Sequence, residues 1–296
     1  MQTGQTSEAR GLRHAYVEVN GVRLHYVEQG TGPVMLFLHG FPDFWYSWNA
    51  LLPEFAKDHR AVALDMRGYN LSAMPLEVDA YQIPILVEDI RAFAAYLGAR
   101  PLTLVGHDWG GVIAWHFASA HPAMLEKLII LNAPHPTVFA RELTGNPDQQ
   151  KASAYFNLFC TPEAETVLTQ NDFAIPRQVV FMGNWADDAD REMYLGSWRR
   201  GLTGGLNYYR AASLERFLSG GASRAEQFLP AEGLISVPTL VIWGERDIAL
   251  TPGNLNGLDH YVESLQIHRV PQAGHFVQHE QPALVIQSMR QFLRGA

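Results

Sequence analysis

The run Gly106-His107-Asp108-Trp109-Gly110 has the spacing of the G-x-S-x-G turn, in which a strand leads into a helix and the central side chain stands at the helix N-terminus. Aspartate takes the central position. A carboxylate there needs no base to remove a proton before it attacks, and the helix dipole is expected to keep it ionised. Attack on a carbonyl carbon would give a reactive anhydride, whereas attack on a saturated carbon gives an ordinary alkyl ester that water can clear. The chemistry expected of Asp108 is displacement at saturated carbon, then ester hydrolysis.

Hydrolysis of such an ester needs a base, and the base needs an acid to orient it. In strand-to-helix turns of this type they follow in the order nucleophile, acid, histidine. Asp247 lies three residues past Gly244 after the run TLVIWG, and His275 follows QIHRVPQAG between Gly274 and Phe276. Both positions fall just past expected strand ends, where open α/β sheets gather catalytic groups. Glu245 lies at the edge of the same loop as Asp247, and Asn132-Ala133-Pro134 after the preceding strand offers no carboxylate. His39-Gly40-Phe41-Pro42 follows VMLFL, which places the N–H of Phe41 beside that of Trp109 as an oxyanion hole. His275, His279 and Glu280 do not have the HExxH spacing and no third ligand accompanies them, so neither a metal nor another cofactor is expected.

Two leaving groups suit an aspartate nucleophile. A halide departs as a weak anion that N–H donors can hold, and an epoxide oxygen departs as a basic alkoxide that needs an acidic proton. Phenols supply such protons, and Tyr155 in ASAYFNLF and Tyr208-Tyr209 in GLNYYR are the available ones.

The elements that must hold these groups are short apolar runs alternating with helical patterns. AYVEV and RLHYVEQG are separated by the turn Asn20-Gly21 and read as an antiparallel entry; VMLFLHG, AVALDMRG, LTLVGHD, KLIILNAP, TLVIWGE and QIHRVPQAG read as nearly continuous apolar runs of the kind buried in a parallel sheet. ILVEDIRAFAAYLG reads as a helix stopped by Gly98. Between about Pro134 and Pro230 aromatic-rich helical segments replace the strand signals. The expectation is an α/β core (1–134 and 231–296, with a frayed tail over about 1–12) interrupted by a helical cap over 135–230. The acidic run Asp187 to Asp190 reads as a solvated loop, since it lacks the glycine of a calcium loop.

The 296 residues, 47% hydrophobic, suffice for a large globular core. Against 30 acidic residues stand 22 basic ones, without a basic run, so nucleic acid is not an expected partner. No apolar run reaches the roughly 18 residues of a membrane span, and the N-terminus has no secretory pattern. The lone Cys160, expected to be a buried or half-buried apolar residue, excludes an internal disulfide and fits a cytoplasmic location. The sequence carries no signal of oligomeric state.

HGFPDFWYSW, DMRGYNLSAMP, GHDWGG, LNAPHP, GLTGGLNYYR, WGERD and AGHF together resemble the blocks of epoxide hydrolases of the α/β-hydrolase superfamily. The resemblance covers essentially the whole chain beyond the first dozen residues. It implies a mostly parallel eight-stranded sheet flanked by helices with an inserted cap. It also implies Asp108 as nucleophile, His275 as the base that activates water, Asp247 as its orienting acid, and Tyr155 and Tyr209 as epoxide-activating phenols. Tyr155 then falls in the first lid helix and Tyr208 is a packing aromatic. His39 and Phe159 are expected at the substrate pocket, and Phe156, Trp185 and Trp198 add to an apolar lid over an apolar epoxide. Haloalkane dehalogenases share HDWG but carry HGNP where this chain has HGFP. Fluoroacetate dehalogenases share HGFP but carry arginine where Trp109 stands. A dehalogenase using the same aspartate is the alternative.

Overall fold

The computed structural model describes residues 11–98, 101–214 and 233–295. Residues 1–10 of the expected tail lie outside that set, and Leu12 at its end is buried in the core.

The hairpin strands β1 (Arg13–Val19) and β2 (Val22–Gln29) pair antiparallel through Asn20 and Gly21, whose φ values of 49° and 73° are the two positive angles a tight hairpin turn requires. β2 pairs antiparallel with β4 (Arg60–Leu64), and β4 pairs in parallel with β3 (Val34–Leu38). Parallel pairing continues through β5 (Leu102–His107), β6 (Leu125–Leu131), β7 (Thr239–Gly244) and β8 (Leu265–Val270). The result is one eight-stranded sheet in the order β1-β2-β4-β3-β5-β6-β7-β8. β3, β5 and β7 are buried at every position, as strands covered on both faces must be. β8 departs from the continuous apolar run expected of it: as the edge strand it leaves Gln266, Ile267 and Arg269 at the surface.

Three core helices follow the sequence signals. α1 (Leu52–Phe55) is short, α2 (Ile83–Tyr96) stops before Gly98 at φ 72°, and α3 (Trp109–Ala120) springs from the turn at Asp108 and is buried along most of its length. The C-terminal helix Pro282–Arg294 buries Val285, Met289 and Phe292, an i, i+4, i+7 stripe. Lys127, itself buried, donates to the carbonyls of Phe292 and Leu293 at 3.0 and 2.9 Å and so caps that helix. Below the strand ends, Arg67 grips Asp89 through two 2.7 Å bonds, and Asn20 donates to the same carboxylate at 2.7 Å. This ties the loop after β4 to α2 and the hairpin turn.

Between β6 and β7 lie α4 (Pro136–Gly145), α5 (Pro147–Ala152), α6 (Phe156–Phe159), α7 (Ala164–Val180), α8 (Asp188–Trp198) and α9 (Thr203–Ala212). Two details differ from the sequence expectation. Asp187 to Asp190 is not a loop but the start of α8: Asp187 accepts from the Asp190 N–H, and Asp190 accepts from the Asp187 N–H, a reciprocal cap that satisfies two otherwise orphaned donors. Tyr155 does not lie in the first helix after β6; it sits in the turn just before α6. α7 is broken at Gln170–Phe173, where Asn171, Asp172 and Phe173 take φ values of 50°, 53° and 61°.

This helical layer is fastened to the core at its polar tips. Trp198 donates to the Pro42 carbonyl at 2.7 Å, Tyr208 to the Arg67 carbonyl at 2.9 Å and Tyr46 to Asp190 at 2.9 Å. On the other flank, the buried Gln149 uses its whole amide. It donates to Ser153 and the Ala249 carbonyl, and accepts from Asn254 and from both the N–H and hydroxyl of Thr251. Among the described residues no helix is long and apolar enough to cross a membrane.

Candidate active site

The turn after β5 is built by close backbone approach. A Cβ at Gly110 would strike the carbonyls of Leu38 and His39, and a Cβ at Gly40 would strike the Asp108 side chain. Asp108 itself takes φ 49° and ψ −122°, a conformation that costs a non-glycine residue about 1–3 kcal/mol and is held by its surroundings. Its Oδ1 accepts the Phe41 N–H at 2.7 Å, and the Trp109 N–H also donates to the carboxylate. Burial raises the pKa of Asp108; His275 and these two backbone donors pull against that rise. Two particular N–H groups and a facing histidine thus do the work the helix dipole was expected to do alone.

His275 stands on the far side of the carboxylate, its Nε2 at 3.7 Å from Asp108 Oδ2. Its Nδ1 donates to Asp247 Oδ2 at 2.8 Å, which fixes the ring orientation. Asp247 is wholly buried and fully occupied. Its Oδ1 accepts the N–H groups of Ala249 and Leu250 at 2.8 and 3.0 Å, and its Oδ2 also accepts Asn132 Nδ2 at 2.8 Å. Burial works against protonation of His275, yet the carboxylates of Asp247, Asp108 and Asp43 prevail and raise its pKa to about 9. The resting histidine is therefore an imidazolium, held beside Asp108.

Tyr155 and Tyr209 close the site from the helical layer. Both line the same cavity as Asp108 and His275, and they are hydrogen-bonded to each other. Burial, then the charge of Asp108, lifts both phenol pKa values well above 10, so both remain proton donors. Tyr208 turns away to Arg67, the packing role expected of it. The cavity, about 260 Å³, is otherwise walled, apart from Glu280, by apolar side chains, among them Phe41, Leu168, Val179 and Phe276. Phe159 lines it too and meets Phe41 and Tyr209 edge to face at 5.3 and 5.0 Å.

Several expected pocket residues stand elsewhere. His39 does not line the cavity: it is completely buried, its Nδ1 donating to the Gly40 carbonyl at 2.8 Å and its Nε2 accepting the Met66 N–H at 3.1 Å. It braces the loop that aims the Phe41 N–H. Burial lowers its pKa to about 4, which fits a neutral ring with one donor and one acceptor. Phe156 packs behind the phenols against Tyr209 and Phe139. Trp198 is tied to Pro42, and Trp185 stacks on His279 at 3.9 Å with the rings 6° apart. These tryptophans hold the helical layer down rather than touch the cavity, because their long rings reach the seam between the layers.

The sequence assigned no role in the site to three further residues. Asn132, passed over because it is not a carboxylate, bridges Asp247 to both the N–H and the carbonyl of Gly244. Asp43 lies under Asp108, where burial raises its carboxyl to about 7 although Tyr194 and Ser47 donate to it at 2.6 and 2.7 Å. His279 donates to the Tyr194 hydroxyl at 2.8 Å. The only signal available was adjacency, Asp43 and His279 each lying four residues from a motif residue. Among the described residues no group of three or more His, Cys, Asp or Glu is arranged to hold a metal.

A carboxylate on a strained strand-to-helix turn, facing a histidine backed by a buried acid at the next strand ends, defines an α/β hydrolase. Residues 33–282 match the family model described as alpha/beta hydrolase fold. The chain is 32% identical to "Epoxide hydrolase 2" of Caenorhabditis elegans over 96% of its length and 81% of that protein. It is 35% identical to "Epoxide hydrolase 3" of Xenopus tropicalis over 98% of its length and 80% of that protein. The crystal structure of a Bacillus megaterium epoxide hydrolase bound to an inhibitor is similar at 41% identity and a TM-score of 0.89, covering 95% of this chain and 100% of that one. The chain belongs to the epoxide hydrolases of the α/β-hydrolase family.

Proposed function

We infer that the protein opens an epoxide to a vicinal diol through an ester on Asp108. The observation that carries this reading is one apolar cavity holding a carboxylate, a histidine and two protonated phenols, Tyr155 and Tyr209. Asp108 Oδ1 is engaged by Phe41, so Oδ2 is the attacking oxygen. A bond forms from Oδ2 to a ring carbon and the carbon–oxygen bond of the ring breaks. The departing alkoxide takes a proton from Tyr155 or Tyr209. Alkylation also removes the negative charge of Asp108, one of the charges that holds the proton on His275. The imidazole then gives up that proton, which restores the phenol by way of solvent, and becomes free to act as a base.

In the second half-reaction His275 takes a proton from water, and the resulting hydroxide attacks the ester carbonyl carbon. Oδ1, already in place against the Phe41 N–H, becomes the oxyanion, with the Trp109 N–H as the second donor to the same carboxylate; such a donor is worth about 2.7–4 kcal/mol to the transition state. Collapse breaks the bond between Asp108 and the diol oxygen, which takes the proton held by His275, and the new Asp108 carboxyl then gives its own proton to the imidazole, which restores the carboxylate. Asp247 and Asn132 act through the histidine, holding its ring. In this reading residues 135–230 are the cap and 1–134 with 231–296 the core, and the cytoplasmic location read from a sequence with a single cysteine, Cys160, goes with it. A single turnover in heavy-oxygen water with enzyme in excess tests the mechanism. The first diol takes its new oxygen from Asp108 and is unlabelled, while the enzyme gains the label; label in that first diol defeats the covalent route.

A further inference from the structure

The cavity has an unequal distribution of charge. Among the described residues that line it, none is lysine or arginine, and the charged groups are Asp108, His275 and one more, Glu280. Glu280 ends the short helix Val277–Glu280 and turns back so that its Oε2 accepts the Gly274 N–H at 2.8 Å. That is its hydrogen bond, and it forms no ion pair with any described residue. Its Cγ also lies 3.2 Å from where a Cβ on Gly183 would stand, which sets the carboxylate at the seam between the helical layer and the core. Gly183 follows Met182. Met182 lines the cavity with 41% of its surface exposed, so the cavity opens to solvent beside Glu280. An apolar mouth with an unpaired carboxylate on its rim repels a negative charge more strongly than the same carboxylate in water, because the surrounding medium screens less.

We propose that Glu280 is a specificity-determining residue that makes the enzyme select uncharged epoxides and reject those bearing a carboxylate. The inference rests on the epoxide-hydrolase reading and adds the charge class of the substrate to it. An apolar tail reaching from Asp108 toward the mouth puts a terminal carboxylate beside Glu280, whereas the corresponding methyl ester brings no charge. Ring opening at Asp108 is the same for both.

The experiment compares a terminal ω-epoxy fatty acid with its methyl ester. The wild-type enzyme favours the ester in kcat/KM by about tenfold or more, a difference of roughly 1.4 kcal/mol. Glu280→Gln keeps an oxygen to accept the Gly274 N–H but loses the charge, and it raises the ratio of kcat/KM for the acid to that for the ester by about tenfold. Met182→Lys, which adds a cation at the mouth without touching the Gly274 contact, shifts the ratio the same way and serves where Glu280→Gln loses activity on both compounds. An acid-to-ester ratio unmoved in both variants, with the ester still turned over, overturns the role of Glu280 alone. A wild-type enzyme that turns over neither the ester nor simple neutral epoxides overturns the reaction itself, and this inference with it.

Discussion

The two walls of the cavity are built on different physical terms. The core wall carries charge and backbone dipoles at fixed points: Asp108 on its strained turn, two N–H donors, and His275 locked by Asp247. The helical wall carries neutral donors and apolar surface, with Tyr155 and Tyr209 as its polar atoms near the reaction. The contrast divides the labour in the proposed mechanism. Ester hydrolysis belongs to the core and could serve any ester formed on Asp108, whereas protonation of the leaving oxygen belongs to the helices and selects epoxides. The haloalkane alternative differs in needing the first wall and not the second.

Substitutions on each wall should therefore fail in different ways. Asp108→Ala removes the bond-forming atom and abolishes turnover and any mass increase of the protein on mixing with an epoxide; residual diol formation at the wild-type rate would break the scheme. His275→Gln still forms the ester but does not clear it, so intact-protein mass spectrometry should show the enzyme gaining one substrate mass while steady-state turnover falls by about 10²–10⁴-fold. Tyr155→Phe together with Tyr209→Phe should produce the reverse, a fall of about 10²–10³-fold with no ester accumulating, since the step lost precedes it. Each single phenylalanine should cost much less, because the remaining phenol still faces Asp108. If the double variant instead released halide from haloalkanes at an undiminished rate, the charge-bearing wall alone would define the enzyme.

A smaller effect sharpens the seam between the walls. Gln149→Ala leaves the N–H and hydroxyl of Thr251 without their acceptor and Asn254 with one of its two, and should cost about 2–4 kcal/mol of unfolding free energy, read in urea melts. The smallest is a pH effect. Because the pKa of His275 rises from 6.5 to about 9 in the folded chain, its contribution to stability is complete below pH 6.5 and is lost as the pH climbs through 9. His275→Gln should flatten that part of the stability profile, measured by urea unfolding between those two pH values; an unchanged slope would show that His275 is not the group titrating.

The same contrast explains what could be read in the sequence. Asp108, Asp247 and His275 were legible because each stands past the end of a strand, and the strand signal and the catalytic position are encoded within a few residues of each other. Phe41 and Phe159 also fell where expected, while His39 did not, since burial of its ring depends on Met66 from another strand end. The helical layer was less legible. Its helices follow no sheet register, α7 breaks at Asn171–Phe173 without a glycine, and the acids at 187–190 read as loop although they form a cap. Asn132, Gln149 and Asp43 act through contacts far apart in the chain, for which local sequence has no pattern.

Gln149 has a consequence for the molecule as a set of exchangeable parts. One amide in the inserted segment is read by Ala249, Thr251 and Asn254, the same loop whose Ala249 and Leu250 amides hold the acid Asp247. A chimaera that grafts another enzyme's cap onto this core therefore inherits a mismatch at the catalytic acid unless residues 247–254 travel with it. The unit of transplantation is the cap plus this loop, and it is discontinuous in the gene.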